Sequence, residues 1–462
     1  MERTTVKKNK YEIDMCNGTI MDKLISFSLP LMLSGILQLM FNAVDIIVVG
    51  RFSGSQALAA VGSTSALINV FTNLFIGISL GANVLTARFY AAWREKEVSE
   101  TVHTAITLAL VSGIVMALVG LVFSRGALAL MGTPDDVIGL SALYMRIYFL
   151  GMPFFMLYNY GAAILRAVGD TKRPLLFLMI AGVINACLNM VLVIVFKLGV
   201  AGVAIATVIS QMISCVLVLR CLCRSESSYR LRFSELGMKG YYLKQIFSVG
   251  VPAGIQSTVI NFSNVLLQSS VNSFGSTAMA GYTAANNLLG FLYVSVNSIT
   301  QACMSFTSQN YGVGKLKRMD RVLADCMILS VVVAVALGCI CYGFGPEILQ
   351  IYTEDAEVIA CGMEILAYTT ITYFLCGWMD LFPGALRGMG YSAVPMVLSV
   401  IGTVGTRVVW IFGIFPYHRS LAILFISYPA SWIITIILQV VCFYFVRRRV
   451  HRRSQTPAGQ EG

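Results

Sequence analysis

The stretch LQLMFNAVDIIVVGRFSGSQALAAVG, residues 37–62, decides the fold of this chain. It is apolar on both sides of a glycine-containing turn, which predicts the end of one transmembrane helix and the start of a second. Asp45 stands inside the first helix, where a carboxylate costs roughly 2.5–3.5 kcal/mol on insertion scales. Gln38 and Asn42 share its helical face. This polar stripe predicts a cavity wall within a membrane protein, with tethering of neighbouring helices as the alternative role of Asp45.

The composition excludes a soluble protein. Of the 462 residues, 57% are hydrophobic and only 12% are charged, which is too little charge for a water-exposed surface. The recurring apolar runs predict an all-α polytopic membrane protein with a first helix that is not a cleaved signal. We predict twelve spans, at residues 24–49, 57–84, 101–124, 137–165, 174–196, 199–222, 243–271, 278–306, 321–344, 356–386, 394–416 and 420–446.

The basic residues are distributed unequally between the two sides of these spans. The net charge is +11, and 27 of the 33 lysines and arginines fall on the side that holds both termini. The loops of the opposite side hold only Arg51, Arg125, Lys197 and Arg419. By the positive-inside rule, both termini are predicted to be cytoplasmic, in the plasma or inner cell membrane. The positive charge is therefore a topology signal, and we expect no nucleic-acid partner.

The cysteines and histidines lack the spacing of metal sites or disulfide frameworks. The twelve cysteines lie mostly inside predicted spans, and the three histidines are far apart in the topology. We therefore expect the cysteines to act as small apolar residues, and we expect no metal or haem cofactor. A Walker A motif is also absent from the sequence, so an ion gradient is the expected source of energy for transport.

The chain contains two copies of one unit. SGSQALAAVGSTSAL (53–67) matches FGSTAMAGYTAANNL (274–288) at an offset of 221 residues. The same offset aligns LRAVGDTKRP (165–174) with LRGMGYSAVP (386–395). A match that stays in register across separated segments indicates duplication. Each copy holds six spans, so the copies have the same orientation and are predicted to be related by a pseudo-twofold axis along the membrane normal.

This duplication predicts the domain organisation. We expect an N-terminal lobe over residues 24–222 and a C-terminal lobe over residues 243–446. The remaining segments are an N-terminal cytoplasmic tail (1–23), a cytoplasmic linker (223–242) and a basic cytoplasmic tail (447–462). Two such lobes can enclose a central cavity, and rocking one against the other gives alternating access. The organisation favours a transporter over a receptor or a membrane enzyme.

The twelve spans, the D-x4-G of Asp45–Gly50, the GSQALAAVG turn and the paired LR-x-x-G motifs resemble the multidrug and toxic compound extrusion (MATE) transporters. The resemblance covers essentially the whole chain. It implies a secondary antiporter, not an enzyme, that exports amphipathic and often cationic organic compounds in exchange for H⁺ or Na⁺. We expect no cofactor besides the coupling ion, and function as a monomer. A flippase for a lipid-linked precursor and a polytopic membrane transferase are the alternatives.

The fifth predicted span carries two buried amides. Asn185 and Asn189 lie four residues apart on one helical face, and Asp45 is a natural partner for them. Plain hydrogen bonding between helices is the alternative role. The family resemblance implies an ion-coupling site in the N-terminal lobe, and Asp45, Tyr144, Asn185 and Thr207 match its pattern. Asn189 departs from the pattern, because it replaces a second acid, so the choice between H⁺ and Na⁺ stays open.

The second half does not repeat this charge. When the copies are aligned on the prolines of their first spans, Asp45 falls on Leu267. The first span of each copy carries polar residues that are predicted to line the substrate cavity, and buried hydrogen bonding is their alternative role. These residues are Gln38, Asn42, Ser257, Asn261, Asn264 and Gln268. Two charges lie within later spans, Asp380 and Arg407, and we predict that they form an ion pair.

Two further patterns predict local structure. Four glycines of the second and seventh spans favour close approach or bending of helices: Gly77, Gly81, Gly250 and Gly254. Arg166 and Arg387, each in an LR-x-x-G context, predict basic helix ends that are closed by a glycine.

Overall fold

A computed structural model describes residues 10–455 of the chain. Regular structure within this range is helical, as expected where a bilayer cannot hydrogen-bond the backbone. The helices are α1 (Met21–Phe52), α2 (Ser55–Ala91), α3 (Glu95–Leu130), α4 (Asp135–Leu150), α5 (Met152–Ala167), α6 (Lys172–Asn189), α7 (Gly199–Cys223), α8 (Gly240–Asn272), α9 (Ser276–Gly312), α10 (Leu316–Gly343), α11 (Gly345–Gln350), α12 (Ala356–Thr369), α13 (Tyr373–Gly388), α14 (Ala393–Ser399), α15 (Thr406–Val409) and α16 (Leu421–Gln455). A 3₁₀ helix (Phe233–Glu235) and π-helical segments (Met190–Val195, Val400–Gly405 and Trp410–Ile414) complete them.

These helices account for the predicted spans. Eight helical stretches are long and apolar enough to cross a membrane, and two bent pairs raise the number to ten within residues 10–455. The seventh and eighth predicted spans correspond to α8 and α9, which have 33 and 37 residues. Both are long enough to span a bilayer, and both are less apolar than the other spans because they carry more polar residues. The predicted all-α polytopic class is confirmed.

Two predicted spans are broken in the structure. The sequence analysis gave continuous spans over 137–165 and 356–386, whereas α4 and α5 meet at 46° and α12 and α13 meet at 50°. Pro153 in the first turn of α5 has no N–H with which to continue the hydrogen bonds of α4. The second break follows Thr369 and Thr370, whose hydroxyls donate to carbonyls four residues earlier, a contact that bends helices.

The duplication is visible in backbone geometry. α2 and α9 each contain 37 residues and are each preceded by a glycine with positive φ, 87° at Gly54 and 96° at Gly275. Only glycine adopts this conformation without steric cost, so the same turn chemistry is repeated in both copies. Both copies also contain a bent helix pair at the same place in their order.

The LR-x-x-G motifs close their helices as predicted. In the first copy, the N–H of Gly169 donates to the carbonyl of Arg166 at 3.0 Å, and that of Asp170 donates to Leu165 at 2.9 Å. Gly169 has a φ of 96°, and Gly390 in the second copy has a φ of 91°. This is the pattern of a glycine-capped helix end, with an arginine in the last turn of each helix.

The chain divides into two compact units. Among the described residues, unit 1 comprises residues 10–13 together with Leu33–Gly254, and unit 2 comprises Asp14–Met32 together with residues 255–455. Both α1 and α8 are therefore divided between the units, each close to its internal proline. The lobe boundaries given by the sequence remain a prediction. Parts of the predicted tails, residues 1–9 and 456–462, lie outside the described residues.

Helices α2 and α8 approach each other closely in unit 1. A Cβ atom added at Gly77 would lie 2.3 Å from the Cα of Gly254, and one added at Gly81 would lie 2.2 Å from the carbonyl oxygen of Ile246. Gly250 shows the same crowding against the backbone of α2. The two helices thus pack backbone against backbone, and the predicted close approach at these glycines is confirmed.

Candidate functional site

Asp45 meets two other helices inside unit 1. Its side chain projects from α1 and is half-buried. One carboxylate oxygen accepts a hydrogen bond from the amide of Asn189 on α6, and the hydroxyl of Thr207 on α7 lies 3.5 Å from the other. Asn189 itself is 0% exposed. Three of the predicted residues therefore come together, while their ion-coupling role stays a prediction.

The two amides of α6 form a connected pair. The Nδ2 of Asn189 also donates to the Oδ1 of Asn185 at 3.2 Å. The Oδ1 of Asn189 is enclosed and has no hydrogen-bond partner among the described residues. A buried carbonyl oxygen without a partner is unfavourable, and this one lies beside a carboxylate. The pair offers oxygen atoms that can accept a hydrogen bond or ligate a cation.

Two tyrosines of α4 complete the surroundings of Asp45. Tyr144 is buried and close enough to interact electrostatically with Asp45, but it forms no hydrogen bond with Asp45 in residues 10–455. Its ring stacks on that of Tyr148, with centroids 6.1 Å apart and planes inclined by 28°. Tyr148 is likewise close enough to Asp45 to interact with the charge of its carboxylate. The sequence analysis missed Tyr148, although its spacing of four from Tyr144 places both on one face.

Gln38 and Asn42 are exposed on α1. In the part of the chain that the structure describes, neither donates a hydrogen bond to Asp45, whose donors come from α6 and α7. Their side chains are thus available to a ligand or to water. The substrate-cavity role of these two residues stays a prediction.

The polar stripe of α8 has two parts. Ser257 and Asn261 are exposed, whereas Asn264 and Gln268 are half-buried. The Oδ1 of Asn264 accepts a hydrogen bond from Arg407 at 2.7 Å, and Gln268 donates to Asn272 at 2.9 Å. The alternative role, hydrogen bonding inside the protein, therefore describes Asn264, whereas the bond of Gln268 is exposed. The substrate-cavity role of the stripe stays a prediction.

The structure does not form the predicted ion pair between Asp380 and Arg407. Arg407 is only 3% exposed and donates through Nη1 to the Oγ of Ser263 at 2.8 Å as well as to Asn264. These neutral oxygens take the place that the sequence analysis assigned to a carboxylate. The cation near Asp380 is instead Arg387, which lies two turns along the same helix, α13.

Gln256 was also missed by the sequence analysis. Its Oε1 accepts a hydrogen bond from the Nη2 of Arg387 at 2.6 Å, and its side chain is buried. No periodic signal marks it, because it lies beside the polar stripe of α8 and not on it. Its contact follows only from the packing of α8 against α13 in unit 2.

Removal of the Asn189 amide should destabilise the protein. We expect Asn189→Ala to lower the free energy of unfolding by about 1–3 kcal/mol, because the carboxylate of Asp45 loses its donor while staying half-buried. Thermal unfolding in detergent measures this change. Asn185→Ala is the matched control, since it leaves the bond between Asn189 and Asp45 in place and should cost less. Equal losses in both variants would contradict the importance of the carboxylate contact.

Known proteins share both the sequence and the fold. The model of the MatE family matches residues 30–191 and 252–412, once in each copy of the repeat. "Probable multidrug resistance protein YoeA" of Bacillus subtilis (strain 168) is 32% identical over 434 residues, which are 92% of this chain and 93% of that protein. "Multidrug export protein MepA" of Staphylococcus aureus (strain NCTC 8325 / PS 47) is 22% identical over 382 residues, 82% of this chain and 84% of that protein.

A solved structure matches over nearly the whole chain. It shows the outward-facing conformation of a multidrug resistance MATE family transporter of the MOP superfamily, with a TM-score of 0.87 at 19% identity, and covers 97% of this chain and 100% of that one. MATE structures have twelve helices in two lobes, so the predicted architecture is confirmed. Since MATE proteins are transporters of small organic substrates and not enzymes, the prediction of a non-enzyme is also confirmed. The chain is a multi-pass membrane protein that belongs to the MatE family.

Proposed function

We propose that this protein is a secondary antiporter that exports amphipathic, often cationic organic compounds in exchange for H⁺ or Na⁺. One observation carries the proposal: the carboxylate of Asp45 on α1 is contacted by Asn189 of α6 and Thr207 of α7. A cation that binds this carboxylate changes the contacts that join three membrane helices. Such a change is what links ion binding to a conformational transition, because the ion then has different affinities for the two states.

Both candidate ions suit the residues around Asp45. A proton would neutralise the carboxylate and turn one of its two acceptor oxygens into a hydroxyl donor. A sodium ion would take the carboxylate together with the neutral oxygens of Asn185, Asn189 and Thr207, since hard cations prefer oxygen ligands. The Oδ1 of Asn189, which has no partner within the described residues, supports either event. Asn189 is neutral, so Asp45 is the one negative charge that would bind the ion.

The names of the relatives support organic compounds as substrates. YoeA is named as a probable multidrug resistance protein and MepA as a multidrug export protein. The exposed polar side chains of α1 and α8 offer hydrogen-bonding groups to such compounds: Gln38, Asn42, Ser257 and Asn261. Broad specificity suits a surface that presents a few polar groups among apolar ones.

We further propose that the protein lies in the cell membrane with both termini in the cytoplasm and that a single chain is sufficient for transport. The distribution of 27 of the 33 basic residues on one side supports this orientation. Both copies of the repeat lie in one chain, so the lobes needed for alternating access are present without a second subunit.

Transport in proteoliposomes tests the proposed function. The purified full chain is reconstituted, and movement of a fluorescent cationic dye is followed after an H⁺ gradient or a Na⁺ gradient is imposed separately. We expect one of the two gradients to accelerate dye movement relative to protein-free liposomes. The ion of that gradient is then the coupling ion. If neither gradient accelerates the dye, the antiport mechanism is wrong.

A further inference from the structure

We infer that His103 is a proton-binding site that holds the linker against α3 only while its imidazole is neutral. The linker segment concerned comprises residues 231–239, which lie between α7 and α8 in unit 1. Binding of a proton by His103 releases the first part of this segment. The inference goes beyond the proposed transport function and does not depend on it, because the attachment of the linker is measured without any transported compound.

The hydrogen bonds of His103 determine which of its ring nitrogens carries a hydrogen. Nδ1 lies 2.7 Å from the backbone carbonyl oxygen of Ser99, which can only accept a hydrogen bond. Nε2 lies 3.0 Å from the backbone nitrogen of Arg232, whose N–H can only donate. Both contacts are satisfied when Nδ1 carries the hydrogen and Nε2 keeps its lone pair. An imidazolium has a hydrogen on both nitrogens, so it cannot accept the bond from Arg232.

Burial makes this contact sensitive to protonation. His103 retains only 4% of its accessible surface, and Leu231, which precedes Arg232, retains 2%. A hydrogen on Nε2 would point at the N–H of Arg232, and two donors that face each other away from water are unfavourable. The attached linker segment therefore binds one proton fewer than the released segment. By linkage, the attachment is present at high pH and weakens as the pH falls.

Glu235 offers an acceptor to the added proton, but only after a movement. Its Oε2 lies 3.9 Å from Nε2 of His103, which is too long for a hydrogen bond. Its Oε1 accepts a hydrogen bond from Nη1 of Arg232 at 2.7 Å, and both of these side chains are exposed. An imidazolium can thus exchange the backbone N–H of Arg232 for the carboxylate of Glu235. Because both groups belong to the turn around the 3₁₀ helix, this exchange displaces the start of the linker segment.

The other charged groups near His103 lie on α3 and on the helices that pack against it. Among residues 10–455, Glu235 is the one acid within 4.0 Å of the imidazole. Glu100 lies one turn earlier on α3 and forms an ion pair with Lys239. Helices α2, α4 and α5 pack against α3, and α2 and α5 contain no acidic residue. The charged residues of these three helices are Arg88, Asp135, Asp136, Arg146 and Arg166.

A second attachment of the linker segment does not involve the imidazole. The backbone N–H of Lys239 donates to the Oγ1 of Thr104 at 3.4 Å, and its Nζ forms the ion pair with Glu100. Helix α8 begins at Gly240, directly after this attachment. Protonation of His103 should therefore free the part of the segment near Arg232, while the part near Lys239 stays attached. Lys239 thus serves as an internal reference.

A purely structural role of His103 predicts a different result. If the side chain only filled space beneath the linker, the attachment would be the same at every pH at which the protein is folded. Histidine is, however, the side chain whose charge ordinarily changes between about pH 5 and pH 8. The two roles therefore differ in whether the attachment of the linker segment depends on pH in this range.

Nitrogen NMR tests the protonation state directly. The chain contains three histidines, so the full-length protein in liposomes, labelled with the heavy nitrogen isotope in histidine alone, gives few signals. His418→Gln and His451→Gln identify the signals of those two residues, and the remaining signals belong to His103. They should show a hydrogen on Nδ1 alone at about pH 8 and on both nitrogens at about pH 5. A hydrogen on Nε2 at about pH 8 overturns the inference.

Hydrogen exchange of backbone amides, read by mass spectrometry, measures the attachment itself. After correction for the intrinsic effect of pH, residues 231–236 should exchange about tenfold faster at about pH 5 than at about pH 8, the fold-change for loss of one hydrogen bond. Exchange at Lys239 should not change. His103→Gln keeps a polar side chain that does not titrate, so residues 231–236 should exchange equally at both pH values. His418→Gln, an exposed histidine of unit 2, is the matched control and should keep the wild-type response.

Glu235→Gln tests the proposed acceptor. Without this carboxylate the imidazolium loses its partner, so release of the linker segment should require a lower pH than in the wild-type protein. An equal response to pH in the wild-type protein and in His103→Gln contradicts the inference, as does the absence of a response in the wild-type protein. If His103→Gln does not fold, the nitrogen signals and the exchange of the wild-type protein still decide, because both are read with His103 in place.

Discussion

Asp45→Asn is expected to abolish gradient-driven export and to leave expression and membrane insertion normal. The amide has the size and shape of the carboxylate, but it carries no negative charge with which to bind H⁺ or Na⁺. The contacts with Asn189 and Thr207 can still form with a neutral side chain, so the helices should remain packed. The initial rate of dye transport in proteoliposomes should fall at least tenfold, to about the level of protein-free liposomes.

Two variants make this result specific. Asp45→Glu keeps a carboxylate at the same position and should retain part of the transport rate. Asp136→Asn removes an exposed carboxylate at the beginning of α4 and should leave the rate unchanged. Unchanged gradient-driven export in Asp45→Asn would rule out this residue as the ion-coupling group and would return it to the role of a helix tether.

Gly81→Ala is expected to destabilise the protein strongly. The added methyl would lie 2.2 Å from the carbonyl oxygen of Ile246, and that backbone atom cannot move away without separating α2 from α8. Overpacking of this kind costs about 1–3 kcal/mol, and the loss should be at the upper end because the contact is with backbone. The midpoint of thermal unfolding in detergent measures it.

The matched control lies in the same helix. A Cβ added at Gly62 of α2 meets nothing within 4 Å. Gly62→Ala should therefore leave stability unchanged or raise it by up to about 1 kcal/mol, through the better helix propensity of alanine. The same loss in both variants would show that the effect at Gly81 does not come from its close approach to α8.

Features that depend on local pattern could be predicted from the sequence. The helices, the duplication, the glycines that permit close packing and the glycine-capped ends at Arg166 and Arg387 all follow from residues that are close together in the chain or repeated in it. The pairing of α2 with α8 at those glycines is known only from the structure. The contact between Asp45 and Asn189 could also be predicted. In an otherwise apolar interior, a carboxylate has few possible donors, and helical spacing brings the amides of α6 to one face.

Features that depend on tertiary placement could not be predicted. The sequence analysis predicted Asp380 as the ion-pair partner of Arg407 because opposite charges attract. In the structure, the guanidinium instead donates hydrogen bonds to neutral oxygens of α8. Such oxygens occur throughout the chain, and nothing in a periodic pattern identifies the ones that face the arginine. The break before α5 could have been recognised at Gly151 and Pro153, whereas that before α13 depends on threonine hydroxyls that bond to their own helix.

The π-helical segments have a geometric consequence for both polar sites. Met190–Val195 follows Asn189 directly, and Arg407 lies between Val400–Gly405 and Trp410–Ile414. A π turn holds one residue more than an α turn. When the π turn moves along a helix by exchange of neighbouring hydrogen bonds, each residue that it moves past rotates about the helix axis by about 100°. Such a step would turn Asn189 away from Asp45, or Arg407 away from Asn264, without unwinding either helix. Each group of polar contacts thus adjoins a π-helical segment whose movement would rotate the side chains that form them.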